Sequence, residues 1–169
     1  MPSIDQIALE VLARTPAVLP SLLVGLPSVA LETPNPEGWS LKDIVAHLVD
    51  VEDGVMVERI TRMLEVDRPF IRSIDPPARL ADGDYAARPL DGLLDDLARQ
   101  RAAHVAWLSS LTDEQLARAG QHDEVGEIYV IDLAHQWAAH DLTHLRQIAL
   151  MLQTHLAPLM GRTRMFYDV

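Results

Sequence analysis

Four stretches of this chain repeat apolar residues at the spacing of a helix face, and the breakers fall between them. The first is SIDQIALEVLART followed by PAVLPSLLVGL. Thr15 suits a cap and Pro16 a first helical position, so Pro20 predicts a kink or a restart rather than one straight rod. The second opens at Ser40, where Asp43 three residues on completes a capping-box signal, and runs through Leu41, Ile44, Val45, Leu48, Val51, Val55 and Met56 to about Leu64. The third places Leu90, Leu93, Leu97, Leu108 and Leu111 on one side. The fourth spans about Tyr129 to His155. The segments LPSVALETPNPEGW and DRPFIRSIDPPARLADGDYAARP read as irregular, and TDEQ from Thr112 opens a short turn. No segment alternates with period two. The expectation is an all-α fold, one domain over residues 1–169, built as a four-helix bundle with connections long enough for a crossover.

Charge narrows the partners. With 14 basic and 25 acidic residues the chain carries a formal charge of −11, and it holds a single lysine, Lys42. Such a field repels phosphate backbones and anionic membranes, so neither nucleic acid nor a membrane is expected. No apolar run approaches the ~20 residues of a membrane helix, and MPSIDQIALE lacks a basic leader, which leaves a cytoplasmic location as the default. Cysteine is absent, which removes disulfides, thiolate ligands and a Cys nucleophile. Seven histidines then stand out.

On a helical wheel the fourth stretch has an apolar face at Leu133, Trp137, Ile148 and Met151. His144 falls in the middle of it and His140 about 40° away. Four residues apart, the two rings lie one turn apart on the same side. Imidazoles pointing into a core are costly unless their nitrogens are satisfied, and a divalent ion does this directly. A hydrogen-bonded core pair is the alternative. His47, at the edge of the second stripe, is placed to reach a neighbouring helix or to bond Asp43, Asp50 or a carbonyl. Arg101 and His104 project into the apolar face of the third helix. Arg101 reads either as a core ion pair or as a clamp for a substrate carboxylate, and His104 as a satisfied core residue, a fourth ligand or an acid–base group. Asp50 is placed to orient an imidazole, and Asp141 either does the same beside His140 or is simply solvated. Glu58 lies about three turns from His47, too far to join it, and His135 faces solvent. His122 and Gly126 lie in the loop before the fourth helix, where they are candidates for the edge of a site.

The stretches WSLKDIVAHLVDVEDGVMVERI and AAHDLTHLRQI, in this order and helix placement, resemble the DinB/YfiT-like superfamily along almost the whole chain. The resemblance implies a four-helix bundle of up-down-down-up connectivity, often dimeric, with one divalent metal on His47, His140 and His144. It also implies a match of Gln147 to the glutamine that follows the histidine pair. Zn or Ni is the expected ion, with Fe possible in the same ligand set. Three ligands leave coordination positions open, as in catalytic rather than structural sites. The first function implied is transfer or isomerisation with a low-molecular-weight thiol such as mycothiol, bacillithiol or glutathione. Metal-dependent hydrolysis through an activated water is the alternative, and a non-catalytic metal-binding stress protein is the third reading. A homodimer acting on a small-molecule substrate is the expected assembly.

Overall fold

A computed structural model describes residues 3–85 and 87–167. Four long helical rods form the bundle: α1 (Gln6–Leu23), the continuous run of α3 (Leu41–Val51) and α4 (Glu58–Glu65), α6 (Leu90–Ser109) and α8 (Val130–Leu156). The connections carry α2 (Ser28–Glu32), β1 (Phe70–Ile71), α5 (Pro76–Asp82), α7 (Asp113–Leu116), β2 (Ala119–His122) and β3 (Gly126–Tyr129). Rods α1 and α3–α4 each pack chiefly on α6 and α8, so the first two rods sit diagonally and the chain between them crosses over. Two apolar clusters fill the interior. One is centred on Leu12, Ile60, Met63, Leu133 and Trp137, the other on Leu19, Ile44, Leu48, Leu97 and Ile148. No helix among the described residues is long and apolar enough to cross a membrane.

The helix starts follow their sequence signals. Ser40 Oγ accepts from the Asp43 N–H at 3.1 Å while Asp43 Oδ2 accepts from the Ser40 N–H at 2.9 Å, closing the capping box. Thr112 and Gln115 close a second box and open α7. The first rod does not restart, because Pro16 and Pro20 both lie inside one α-helix. Thr15 is not a cap; its hydroxyl donates to the Val11 carbonyl at 2.9 Å. Proline at 16 removes the N–H that would bond the carbonyl of Leu12. Arg101 Nη1 supplies the missing donor from α6, 3.0 Å from that oxygen. A bond across the bundle thus replaces one within the helix.

The second rod is not uniform. Glu52–Val57 is a π-helical segment between α3 and α4. One wide turn shifts the register of all that follows, and Glu52 at its start is fully buried, at 0% exposure.

The proline- and aspartate-rich connector expected to be irregular contains β1 and α5, and a hairpin precedes α8. Phe70 pairs in parallel with Gln121, and β2 runs antiparallel to β3 with His122 opposite Gly126. Strands of two to four residues are too short to show period-two alternation. Gly126 turns the hairpin at φ +83°, in the left-handed region that glycine enters without steric cost.

Candidate metal centre

The capping box fixes where α3 begins, and seven residues later the rod delivers His47 to the face of α8. There His47 meets His140 and His144, and one nitrogen from each ring lies within 4.8 Å of the others. The Nε2 atom of His140 is 3.1 Å from Nε2 of His47 and 3.1 Å from Nε2 of His144. Ion–nitrogen bonds of about 2.0–2.1 Å at angles of 90–110° separate two ligand nitrogens by about 2.9–3.4 Å, so this spacing suits one divalent ion.

The outer nitrogens agree with that geometry. His144 Nδ1 lies 2.9 Å from Gln147 Oε1. An amide oxygen only accepts, so the ring proton sits on Nδ1 and the Nε2 lone pair faces inward. The Nδ1 atoms of His47 and His140 are buried without a hydrogen-bond partner among the described residues. Trp39, immediately before the cap, meets the His47 ring edge-on at 5.3 Å between centroids.

Burial keeps the imidazoles neutral. Desolvation, helped by the neighbouring His144, lowers the His47 pKa to about 4. Desolvation, with His144, His47 and Arg101 adding repulsion, lowers that of His140 to about 3. His144 is lowered too, chiefly by burial. Each neutral ring carries one lone pair, and with those of His47 and His140 turned inward, as that of His144 is, a cation at the shared point would satisfy all three. The pH dependence has a definite sign. Below the ordinary histidine value of about 6.5 the unfolded chain takes up protons that the folded site refuses, so folding stability falls as pH drops. The metal-free protein is therefore expected to lose melting temperature steadily from about pH 6.5 to about pH 4, beyond the loss shown by a His47→Gln, His140→Gln, His144→Gln triple variant. Parallel pH–melting curves for the two proteins would contradict the assignment.

The other residues singled out in the sequence take different places. Arg101 is 1% exposed, and all five of its N–H donors are engaged. Nε and Nη2 donate to Glu52 at 2.8 Å each, Nη2 also to Asp141 at 3.1 Å, and Nη1 to Asp141 and to the Leu12 carbonyl. Burial alone pushes the guanidinium pKa down; hydrogen bonds and charge from Glu52 and Asp141 outweigh it and hold it above its usual value. No donor remains for a substrate carboxylate, so this geometry matches the core ion pair of the two readings. His104 has Nδ1 3.0 Å from Glu52 and Nε2 3.0 Å from Asp53, with its ring against Trp137. Both nitrogens are thus turned away from the three-histidine cluster.

Asp141 faces Arg101 rather than an imidazole, because successive residues on a helix point about 100° apart and His140 already holds the metal side. Asp50 also does not orient His47. Arg79 of α5 takes it in a fork at 2.7 and 2.9 Å, and the Tyr85 hydroxyl donates to it at 3.1 Å. Gly54 makes room for that fork, since a Cβ there would stand 2.5 Å from Arg79 Nη2. His135 is half-buried and accepts from the Asp5 N–H at 3.0 Å at the surface. Glu58 is exposed, opposite Arg62. His122 and Gly126 form the hairpin ahead of α8, and His140 lies about 15 Å further along that helix at 1.5 Å per residue, so neither edges the cluster.

With Arg59, Glu52 is a buried charged residue that the sequence reading passed over. Its signal was its position four residues from both Leu48 and Met56, inside the apolar stripe. Gln147 accepts a hydrogen bond from the outer nitrogen of one of the three rings. Replacing it with leucine is expected to weaken Zn affinity about 10–100-fold, as measured by competition with a chromophoric chelator, while the fold stays intact.

Comparison with known proteins bears on the family and the fold. The model of the DinB superfamily matches residues 12–148, which includes all three histidines. YfiT of Bacillus subtilis, designated a candidate metal-dependent hydrolase, is 27% identical over 146 residues, covering 83% of this chain and 82% of its own. The solved structure of YfiT, described as an unusual four-helix bundle, superposes with a TM-score of 0.80 at 24% identity over 92% of this chain and 91% of that one.

Proposed function

The chain belongs to the DinB superfamily, and from that premise we propose that it is a metal-dependent hydrolase of small molecules, working at the His47, His140 and His144 centre. The observation that supports this most is the convergence of three neutral Nε2 atoms on one point, with no fourth ligand among the described residues. Zn or Ni suits imidazole nitrogens, and Fe is the next candidate. A divalent ion held there supplies a Lewis acid that activates water near neutral pH.

The chain's own residues set the conditions. Gln147 fixes the His144 tautomer, and Trp39 limits rotation of the His47 ring. The buried charges behind His140 are closed on one another, so they hold the helices without competing for the ion. Transfer of an external thiol is the second reading, since the same centre would bind and activate a thiolate and the chain has no cysteine to compete for it.

The test is a screen of esters, amides and thiol acceptors with protein loaded with Zn, Ni or Fe. The expected result is hydrolysis that a chelator abolishes, that the same metal restores, and that the His144→Ala variant lacks. Turnover that survives exhaustive chelation would overturn the proposal. Turnover seen only with an added thiol would replace hydrolysis by thiol transfer.

A further inference from the structure

A cavity of about 520 Å³ lies between α2, the 33–37 loop and the C-terminal part of α8. It is within the range of small-molecule sites and mostly apolar, with walls from Val29, Leu41, Leu150, Met151 and Leu152. Its position relative to the histidines follows from helix geometry. On α8, Gln147 and Met151 stand three and seven residues beyond His144, hence on the same face. His155 continues this face about 12 Å beyond Gln147 at 1.5 Å per residue. All three residues line the cavity, and Gln147 also contacts the His144 ring at 2.9 Å. The cavity is thus the metal-bearing face of α8 continued toward its C-terminus, with the Gln147 amide at the boundary. The amide oxygen is committed to His144, so its NH₂ group is the part it can offer a ligand.

Charge adds a second constraint. Among the described residues no Lys or Arg lines the cavity, Glu37 does, and the chain as a whole carries −11. A carboxylate-bearing ligand would find no clamp and an unfavourable field.

Building on the hydrolase reading, we propose that this cavity binds the apolar chain of a neutral acyl ester or amide, with the acyl carbonyl placed beside Gln147 at the metal centre. In the reaction the acyl C–O or C–N bond breaks. Water gives its oxygen to the acyl carbon and a proton to the departing alcohol or amine.

Binding and turnover test this separately. Octanamide and octanoate are titrated calorimetrically into wild type and into the Thr154→Trp and Thr33→Trp variants, which place bulk at exposed lining positions away from the ligands and the core. The expected result is octanamide binding to wild type at one per chain, with or without metal, at least tenfold tighter than octanoate and lost in either variant. In parallel, kcat/KM for neutral 4-nitrophenyl esters from acetyl to octanoyl is expected to rise about three- to fourfold per methylene in wild type. That gradient should flatten in both variants. Ester hydrolysis without octanamide binding or a chain-length gradient overturns the cavity assignment and leaves the hydrolase reading standing. Octanamide binding without hydrolysis of any ester leaves an apolar-ligand cavity but overturns its role as an acyl site. Dimerisation that Thr154→Trp breaks, with no octanamide uptake, assigns the cavity to a second copy of the chain and overturns the proposal.

Discussion

His140→Ala is expected to abolish metal binding, whereas substitutions of non-ligand residues on α8 should only weaken it. Its Nε2 is the shared vertex of the cluster, 3.1 Å from each of the other two, so its loss leaves His47 and His144 without the ligand between them. Wild-type protein purified without a metal-affinity column is expected to hold about one divalent ion per chain, and the variant close to none. The loss in Zn affinity should exceed the roughly 100-fold that removal of an outer contact costs. Stability reports the same event. An ion bound only to the folded state at 1,000 times its Kd stabilises by about 4 kcal/mol, equivalent to about 8–16 °C of melting temperature for a chain of this size. Added Zn should raise the melting temperature of wild type by that order and leave the variant unmoved. The metal-free variant should melt no lower than metal-free wild type, because alanine relieves the crowding of three desolvated imidazoles. Wild type that gains neither metal nor melting temperature would leave the cluster as a packed histidine core.

What the sequence disclosed depended on the range of the interaction involved. Helix starts are local, and Ser40 with Asp43 or Thr112 with Gln115 announced them correctly. His140 and His144 were legible because both sit on one periodic helix. His47 became a ligand candidate only through resemblance to a family, since no periodicity tells which neighbouring helix a side chain will meet. Local rules failed where a distant residue intervened. Pro16 should interrupt α1, yet the helix continues because Arg101, on a rod far along the chain, bonds the carbonyl that proline leaves free. Asp50 and Asp141 were read against the histidines three and one positions away, while their partners Arg79 and Arg101 come from other elements. The π-helical segment at Glu52–Val57 was not legible, because a one-residue shift in register changes which side chains face inward without changing the composition of the stripe.

Arg101→Met is expected to be the most destabilising single substitution outside the centre. It would leave Glu52 and Asp141, both at 0% exposure, without their cation, and the Leu12 carbonyl without a donor. Breaking a buried ion pair from one side costs about 3–5 kcal/mol, or about 6–20 °C of melting temperature in a chain of this length. A triple variant, Glu52→Leu with Arg101→Met and Asp141→Leu, separates the two contributions. Buried charges replaced together by apolar groups of similar volume are often neutral or better, so the triple should recover most of the loss. The part not recovered should be about 1–3 kcal/mol, the cost of a buried carbonyl left unsatisfied at the proline break. Substituting Pro16→Ala within the triple restores the helical N–H to that carbonyl and should recover the remainder. Zn content should stay near one per chain in the triple variant, since none of its three positions is a ligand. If the single variant melts within about 2 °C of wild type, the network is not the brace that joins α1, the π-helical segment, α6 and α8.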